Sequence, residues 1–281
     1  MRFSVTIFLT DQTIGPAEVA LQIEARGFHG LYVPEHTHIP TSRATPAPMG
    51  DPLPDYYRRC LDPFVAMTAA AAATDRLRVG TGICLLAQRD AIVTAKEVAT
   101  VDLLSGGRFT FGVGFGWNEE EAADHGVDFA NRRAIVREKM LAVRTLWTEK
   151  EAAFEGEYVR YAPTWQWPKP VQEPYPPVWL GCGAGPENFA NLVEFADGWI
   201  PIGGRGLKDA LPELRRALEE AGRDPASFDV VPFGSTPDAG KFEYFASMGI
   251  TEVVAMAPTG PASEVLPFLD RYAKTVEEWH G

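Results

Sequence analysis

The strongest constraint on the fold of this chain is a regular alternation of short apolar segments with longer helix-forming segments. Eight apolar segments have the length and pattern of buried strands, and they span residues 3–8, 30–34, 77–84, 109–114, 178–182, 197–202, 228–233 and 251–256. Each is followed by a segment with helical periodicity, at residues 16–27, 63–74, 91–104, 132–148, 186–196, 207–221, 238–248 and 262–278. Eight strand–helix units are the number that closes a parallel barrel. The sequence therefore predicts the α/β class and a single TIM (β/α)8 barrel with insertion loops at its carboxyl face.

Length and composition fit one large globular domain covering residues 1–281, of which 46% are hydrophobic. The formal net charge of −12, with no basic stripe or tail, argues against nucleic-acid and anionic-membrane partners. No apolar run is long enough to span a bilayer, and the amino terminus is typical of a first strand rather than a signal peptide. Three cysteines without paired spacing indicate a reducing compartment. We therefore expect a cytoplasmic protein that acts on a small molecule.

Two segments interrupt the alternation, and both are predicted to lie outside the barrel wall. Residues 35–62 are rich in proline and have no periodic pattern, which is typical of a lid-like binding loop. Residues 149–177 have the pattern of a small hairpin followed by a proline-rich connector. The aromatic side chains of this connector, Trp165, Trp167 and Tyr175, are interpreted as a packing cover or a subunit contact.

The most reactive side chains follow the second predicted strand, at Glu35, His36 and His38. In a parallel barrel the carboxyl ends of the strands build the functional face. An imidazole there suits a general acid or base, and His36 is the best candidate. A zinc site is an alternative, because His-x-His at a strand end is a zinc arrangement, but no further ligand falls at the ends of strands five, six or eight. A third interpretation is a loop whose polar residues only cap backbone groups.

Glycines recur at the ends of the third and fourth predicted strands. The third ends in residues 80–83 (GTGI), which fit either a bulge or a backbone surface on which a flat ring packs. The fourth lies in residues 108–121 (RFTFGVGFGWNEEE), whose alternating glycines do not match the G-x-G-x-x-G dinucleotide fingerprint. Close helix–strand packing would explain these glycines, and the helix dipole would explain the three glutamates. Neither explains an exposed Trp117.

Two glycine-rich turns after the fifth and sixth predicted strands are candidate anion sites. Residues 181–185 lead into a helix with Pro186 at its first position, and bare N–H groups at a helix start suit a phosphate. A simple tight turn is the alternative, although it needs fewer glycines. Residues 203–206 follow the sixth strand, where Arg205 and Lys208 are local cations that could hold an anionic tail against the net negative charge.

These segments together resemble the luciferase-like flavin and deazaflavin oxidoreductases, and within them the coenzyme F420-dependent branch found in actinobacteria. The segments that carry the resemblance, in family order, are GLYVPEHTHIP, LRVGTGICLLAQRDAIVTAKEVATVDLLSGGRFTFGVGFGWNEEE and AGPENFANLVEFADGWIPIGG. The resemblance runs essentially from end to end, and the middle segment is its most specific part. It implies a TIM barrel with the cofactor across the carboxyl mouth and, by family habit, a homodimer.

The resemblance also implies roles for individual residues. His36 would face the deazaflavin ring and the substrate and would supply or accept the one proton of the reaction, polarised by Glu35, while His38 and Trp117 would line the substrate pocket. A non-prolyl cis peptide at Gly82–Ile83 would support the back of the ring. With Arg205 added for the tail, the predicted cofactor contacts are Glu35, Thr81, Gly82, Ile83, Gly114, Phe115, Gly116, Asn118, Gly183, Ala184, Gly185 and Arg205.

Three functions fit these residues, and none of them is expected to need a metal. The leading one is an F420-dependent oxidoreductase that transfers a hydride between the deazaflavin and a small organic substrate. The second is an FMN-dependent monooxygenase that uses oxygen, and it differs in needing a site for one phosphate only. The third is a non-catalytic protein that binds F420 or a flavin. Sugar-phosphate oxidation is not expected, because the F420-dependent sugar-phosphate dehydrogenases place a glutamate where this chain has Trp117.

Overall fold

The computed structural model describes residues 1–280, and its main feature is a curved parallel sheet surrounded by helices. The strands are β1 (Arg2–Thr6), β2 (Gly30–Val33), β3 (Arg78–Thr81), β4 (Phe109–Gly114), β5 (Ala152–Glu155), β6 (Arg160–Thr164), β7 (Val178–Gly181), β8 (Gly198–Ile200), β9 (Asp229–Val230), β10 (Phe233–Ser235) and β11 (Glu252–Met256). The helices are α1 (Pro16–Ala25), α2 (Pro63–Ala73), α3 (Ala91–Leu104), α4 (Glu119–Asp124), α5 (Arg132–Thr148), α6 (Pro186–Phe195), α7 (Leu207–Glu220), α8 (Ala239–Ser247) and α9 (Ala262–His280).

The sheet closes on itself. All strands except β5 and β6 belong to it, in the order β10-β11-β1-β2-β3-β4-β7-β8-β9. Each neighbouring pair is parallel. The two ends of this order, β9 and β10, lie on one continuous segment, residues 229–235. The predicted TIM barrel is therefore confirmed, with β9 and β10 together forming its seventh strand.

That seventh strand differs from the single run predicted at residues 228–233, because it is interrupted at Pro232, although it contacts both neighbouring strands and the N–H of Phe233 still donates towards β8, to the carbonyl oxygen of Pro201 at 3.0 Å. The N–H of Val231 donates to the carbonyl oxygen of Trp199 at 2.9 Å, towards β8. The N–H of Val254 in β11 donates to the carbonyl oxygen of Pro232 at 3.0 Å. Proline has no N–H to continue a ladder, so the strand is divided into two short pieces.

The third strand is also shorter than the predicted 77–84. It ends at Thr81, and the Gly82–Ile83 peptide bond is cis, as the family resemblance implies. The chain returns to the sheet at Cys84, which forms an isolated parallel bridge with Val113. The segment between Thr81 and Cys84 is therefore a bulge at the carboxyl end of the strand.

The two interruptions lie where they were predicted. Residues 35–62 are irregular apart from one short 3₁₀ helix at Asp55–Arg59. Within 149–177, β5 and β6 form an antiparallel hairpin apart from the barrel sheet. Helix α4, which starts after a short turn that follows β4, was not among the eight predicted helices, although one interpretation placed the three glutamates at a helix start.

Large apolar side chains fill the barrel interior. Tyr32, Trp179, Ile200, Phe233 and neighbours from other strands form one buried cluster, against which Ile83 packs. A filled interior leaves the carboxyl mouth as the face on which a site is built. Within residues 1–280 no helix is both long and apolar enough to cross a membrane.

Candidate active site

The candidate site lies where four neighbouring strands end. Strands β2, β3, β4 and β7 are adjacent in the sheet, so the residues that follow them lie along one edge of the mouth. The segments after β2, β3 and β4 carry most of the predicted site residues, and the segment after β7 carries the glycine-rich turn. The geometry at this edge decides which of them act together.

His36 is buried at this edge, and both nitrogens of its ring have partners. Nδ1 lies 2.8 Å from Oε2 of Glu121, and Nε1 of Trp117 lies 3.3 Å from Nε2. An indole N–H only donates, so Nε2 of His36 is the acceptor and Nδ1 carries the proton that is donated to Glu121. The ring of Tyr57 lies 5.2 Å from the His36 ring and covers it from the loop of residues 35–62. These contacts hold His36 in one orientation and one tautomer.

The carboxylate that binds His36 belongs to Glu121, whose charge the sequence pattern assigned to the helix dipole. The side chain of Glu121 is fully buried, and Oε1 also accepts the N–H of Thr37 at 3.1 Å. The N–H of Glu121 donates in turn to the side-chain oxygen of Asn118, the N-cap of α4, at 3.1 Å. Asn118, a predicted cofactor contact, is thus a buried cap that fixes where the helix starts. With the helix starting at this cap, Glu121 points into the protein while Glu119 is exposed. An asparagine N-cap at position 118 is therefore the sequence signal that would have identified Glu121 as the inward-facing glutamate.

The prediction that Glu35 polarises His36 is wrong, because the partner of His36 is Glu121. Glu35 is buried, and its two carboxylate oxygens have other partners. Oε2 accepts the N–H of Leu85 at 2.7 Å, and Oε1 accepts Nε–H of Arg89 at 2.6 Å. Glu35 therefore joins the end of β2 to the segment that follows the β3 bulge, and this contact is structural.

Arg89 connects three carboxylates around that segment. Besides Glu35, it binds Asp62 at 2.6 Å and Glu97 at 3.0 Å. Burial alone would lower the pKa of Arg89, but the adjacent Glu35 carboxylate raises that pKa above its usual value. The guanidinium thus stays charged and ties the mouth to α3 and to the end of the loop of residues 35–62.

The alternating glycines of β4 make room for the β3 bulge. A Cβ on Gly112 would lie 2.1 Å from the carbonyl oxygen of Thr81, and one on Gly114 would lie 2.2 Å from Cδ1 of Ile83. A Cβ on Gly181 in β7 would also lie 2.9 Å from Ile83. The packing explanation therefore accounts for these glycines, and it brings Gly114 and Ile83, two predicted cofactor contacts, against each other.

The remaining residues after β4 form a short turn towards α4. Gly116 has a φ of 77°, a conformation that favours glycine, and it turns the chain between Phe115 and Trp117. Phe115 and Trp117 are both partly buried. Contacts of Phe115 and Gly116 with a cofactor stay predictions.

The loop of residues 35–62, which we call the lid loop, is anchored to the first turn of α4 through Glu120. Its carboxylate accepts the hydroxyl of Ser42 at 3.0 Å and the N–H groups of Ala44 at 2.7 Å and Thr45 at 3.0 Å. The Thr45 hydroxyl also donates to Glu120 and is the main cause that lowers the pKa of this carboxyl to about 2. Glu120 therefore stays ionised and keeps the lid loop in place at any physiological pH.

His38 lies nearer the surface than His36. Its Nε2 lies 3.0 Å from Oδ2 of Asp124, and its side chain is 41% exposed. His36 and His38 thus bind different carboxylates rather than converging on one point, as metal ligands do. Among residues 1–280 no group of three or more His, Cys, Asp or Glu side chains is placed to hold a metal ion.

The glycine-rich turn after β7 leaves open space at the start of α6. A Cβ on Gly183 or on Gly185 would meet no atom within 4 Å. Gly185 is the N-cap of α6, and no side chain caps the first N–H groups of this helix. Asn188 braces the turn by donating from Nδ2 to the carbonyl oxygen of Gly183 at 2.9 Å. Gly183, Ala184 and Gly185 therefore form a cradle in which backbone donors could meet an anion.

Arg133, which the sequence patterns did not single out, supplies a cation beside this cradle. Its guanidinium lies 5.3 Å from the centroid of the Phe115 ring, and its Nε is buried without a hydrogen-bond partner within residues 1–280. Its nearest carboxylate, Glu187, is 3.9 Å away. Burial raises the pKa of the Cys182 thiol to about 12, although the neighbouring Arg133 charge acts to lower it. Arg133 thus lies between the turn after β4 and the turn after β7.

Arg205 and Lys208 lie farther along the same edge, after β8, and both are exposed. The glycines around Arg205 have positive φ values of 66° at Gly203, 72° at Gly204 and 76° at Gly206. The exposed cations therefore follow the strand next to the cradle. Their contact with a cofactor tail stays a prediction.

Comparison with known proteins identifies the family. The sequence profile of the luciferase-like monooxygenase family matches residues 15–236. An uncharacterised protein of Mycobacterium tuberculosis is 41% identical over 277 residues, which cover 97% of this chain and 98% of that protein. An F420-dependent glucose-6-phosphate dehydrogenase of Kineococcus radiotolerans is 29% identical over 221 residues, covering 76% of this chain and 60% of the dehydrogenase.

Two solved structures have the same fold across the chain. A monooxygenase from Streptomyces bottropensis superposes with a TM-score of 0.80 at 19% identity, covering 100% of both chains. An F420-dependent secondary alcohol dehydrogenase, solved with an F420-acetone adduct, gives a TM-score of 0.76 at 18% identity and covers 99% of both chains. The two dehydrogenases and the monooxygenase named here are oxidoreductases. This chain belongs to the luciferase-like monooxygenase family, a family of enzymes.

Proposed function

We propose that this chain is an F420-dependent oxidoreductase, in which His36 exchanges the proton that accompanies hydride transfer to or from a small organic substrate. The observation that carries the proposal is the buried pair of His36 and Glu121 at the barrel mouth. A protein that only stores a cofactor needs no imidazole held in one tautomer by a buried carboxylate. The names of the F420-dependent relatives support the choice of cofactor.

The residues at the mouth fit an extended anionic cofactor. The cradle of residues 183–185 has open space and uncapped helix N–H groups, which suit a phosphate. Arg133 has a buried Nε without a partner beside it, and Arg205 and Lys208 follow the next strand. The net charge of −12 would otherwise repel an anion, so these local cations are significant. FMN ends at one phosphate, whereas F420 continues into a glutamate chain that could use the further cations.

Bound F420 would supply a hydride donor or acceptor that reacts poorly with oxygen. The part of His36 in the reaction follows from its contacts. Nδ1–H is committed to Glu121, so the lone pair of Nε2 is the position at which a proton is gained or lost. A proton gained there produces an imidazolium ion, which the buried carboxylate of Glu121 stabilises.

The lid loop keeps water away from this proton exchange. Tyr57 covers the His36 ring, and Glu120 holds residues 42–45 against α4. Burial raises the pKa of Tyr57 to about 12, so its phenol stays neutral and does not compete as a base at neutral pH. Trp117 contributes its N–H to His36 and its ring to the wall of the site. The position of Trp117 also disfavours sugar phosphates as substrates.

Equilibrium titration of the pure chain with F420 and with FMN, followed by fluorescence, tests the proposal. We expect saturable binding of F420 and weaker binding of FMN. Arg133→Gln should weaken F420 binding about tenfold, the effect of losing one charged hydrogen bond. Arg137→Gln is the matched control, because Arg137 lies on the same helix but pairs with Glu194 on the surface, and it should not change the affinity.

Other outcomes would favour the other two functions. Tight FMN binding without F420 binding would contradict the proposal and indicate a flavin monooxygenase. Tight F420 binding without hydride transfer to any of a broad panel of alcohols, aldehydes and conjugated enones would indicate a binding protein without turnover.

A further inference from the structure

Arg43 lies in the lid loop over the candidate active site. Its guanidinium carbon is 5.8 Å from the centroid of the Trp117 ring, and Trp117 in turn contacts His36. Cations are attracted to the face of an indole ring at this distance. The contacts of the proposed proton-exchanging residue therefore extend to a charge on the lid loop.

The hydrogen-bonding groups of Arg43 are incompletely used. Both Nη1 and Nη2 are inaccessible to water and have no hydrogen-bond partner within residues 1–280. The nearest carboxylate is Asp51, whose Oδ1 lies 3.6 Å from Nη2, beyond hydrogen-bond length. Asp51 is 68% exposed, so its attraction for Arg43 is screened by water and weak. Among the described residues, Nη1 and Nη2 thus lack the hydrogen-bond partners that inaccessible donors normally have, while the Arg43 side chain as a whole is 28% exposed to solvent. Such a group has unused capacity to bind a ligand.

The backbone around Arg43 is fixed rather than loose. Ser42, Ala44 and Thr45 all donate to Glu120, so residues on both sides of Arg43 are bound to the start of α4. Arg43 itself has a φ of 50°, a left-handed conformation that non-glycine residues seldom adopt. The lid loop thus holds Arg43 in a defined position over Trp117.

We propose that Arg43 binds an oxyanion of the substrate, a carboxylate or a phosphate ester, while the reacting carbon lies near His36. A guanidinium fork binds planar carboxylates and phosphates through two parallel hydrogen bonds. The negative net charge of the chain gives a local cation of this kind added importance for holding an anion. Because residues 42, 44 and 45 are bound to Glu120, a shift of the Arg43 side chain rather than an opening of the lid loop would bring its Nη atoms onto the oxyanion. The inference rests on the proposed function for the reaction, but not for the binding of the anion.

Calorimetric titration of the full chain with benzoate, benzamide and inorganic phosphate tests the inference, with and without F420. We expect benzoate or phosphate to bind and the neutral benzamide to bind more weakly. Arg43→Asn should weaken binding of the anion about ten- to hundredfold, since asparagine tolerates the positive φ but lacks the guanidinium. Arg43→Lys should give an intermediate loss of anion affinity, because lysine keeps the positive charge but lacks the two parallel N–H donors of the guanidinium.

The control is Arg58→Gln, which removes another arginine of the lid loop that is 65% exposed and pairs with Asp55. It should leave anion binding unchanged. If Arg43→Asn weakens the binding of benzoate but not of phosphate, carboxylates are the ligand class of Arg43, and the reverse identifies phosphate esters. The inference is overturned if neither anion binds the wild-type chain, or if Arg43→Asn and Arg58→Gln weaken binding equally. F420 affinity, measured on the same variants, separates failure of this inference from failure of the proposed cofactor.

Discussion

His36 lies between a hydrogen-bond acceptor and a hydrogen-bond donor, and this asymmetry decides which of its nitrogens can react. Glu121 accepts from Nδ1, whereas Trp117 donates to Nε2. A second proton on Nε2 would face the Trp117 N–H, so gain of that proton requires the Trp117 N–H to leave Nε2 and a substrate atom to take its place. Glu121 is a positioning residue, because it acts on the reaction through His36.

Glu121→Gln should lower kcat about 10²- to 10⁴-fold while leaving the Kd for F420 unchanged. The glutamine NH₂ group can donate to Nδ1, which favours the tautomer of His36 that carries its proton on Nε2. The substitution also removes the negative charge that stabilises the His36 imidazolium. The measurement is steady-state kinetics with F420 and the best substrate of a broad panel. Glu119→Gln, an exposed neighbour in the same turn, is the control and should retain full activity. Equal activity of the two variants would show that Glu121 has no part in the reaction.

At this scale the sequence predicted His36 but not its partner. A histidine directly after a barrel strand has a defined location, because strand ends face the mouth. The run of three glutamates does not show which of them points inward until the first residue of the helix is known. The N-cap at Asn118 sets that first residue and so places Glu121 on the inward side. Glu35, adjacent to His36 in sequence, binds the N–H of Leu85 and the guanidinium of Arg89 instead, which lie in the segment after β3.

Among the elements, β3 and β4 are fitted to each other by the bulge at residues 82–83. Ile83 projects over Gly114 and Gly181, and the carbonyl oxygen of Thr81 approaches Gly112. Strictly alternating glycines are therefore required by backbone and side-chain packing at the mouth. This packing determines the shape of the surface that a ligand at the barrel mouth would contact.

Gly114→Ala should reduce the free energy of unfolding by about 1–3 kcal/mol, the usual cost of overpacking a core. Its Cβ would lie 2.2 Å from Cδ1 of Ile83. Ile83→Val removes that atom, so the double variant should be less destabilised than the sum of the two single variants. Urea unfolding measures all three. Gly183→Ala, which adds a methyl group in open space, should change stability by less than about 0.5 kcal/mol.

Additive effects of Gly114→Ala and Ile83→Val would mean that these two residues do not compete for the same space.

The strand and helix pattern of the sequence predicted the eight strand–helix units, but not the places where a strand is broken or bulged. The eight units are all present, because periodicity reports which face of each element is buried. The break in the seventh strand has a local signal, the proline at position 232, but the bulge after Thr81 depends on its fit to β4, which no local pattern records. The same holds for α4, a helix of six residues whose start depends on its cap.

For the whole molecule, the distribution of charge predicts how stability depends on pH. His29 precedes β2, and its Nε2 lies 3.8 Å from the buried Glu252. Burial, together with the charges of Arg2 and Arg78, lowers the pKa of His29 from 6.5 to about 4. Burial raises the pKa of Glu252, so Glu252 has the opposite effect on stability over the same range. A variant that removes only His29 separates the two contributions.

The wild-type chain should lose stability relative to His29→Gln as the pH falls from about 6.5 to about 4. In this window the unfolded chain takes up a proton on His29 while the folded chain does not, so acid favours unfolding. Above the window both states have a neutral His29, and below it both are protonated. Urea unfolding at several pH values measures the difference. A constant difference between the two proteins across the window would contradict the assignment.

The surface formed by α2, α3 and the 165–171 connector exposes large apolar side chains, those of Val65, Ile92, Val93, Leu103, Leu104, Trp165, Trp167 and Val171. Gln166 donates to the carbonyl oxygen of Ile92 at 2.9 Å, which places the connector against α3. Several large apolar side chains exposed on neighbouring elements are typical of a subunit contact. By contrast, Tyr175 packs on Trp147 and belongs to the cover of the barrel.

We expect a homodimer formed through this surface. Analytical ultracentrifugation should give the mass of two chains for the wild type and of one chain for Val93→Glu or Trp165→Glu, since a buried unpaired charge opposes association. Tyr244→Glu, on the exposed side of α8, should remain a dimer. A monomeric wild type, or dimeric glutamate variants at all concentrations, would contradict the prediction.

The central claim is that the barrel mouth binds F420 with His36 beside its reacting ring, and a crystal structure of the chain saturated with F420 tests it most directly. We expect the ring against Ile83 and Trp117, next to His36, with the phosphate at residues 183–185 beside Arg133. A cofactor bound anywhere else on the chain, or a mouth that excludes saturating F420 with its own side chains, would contradict it.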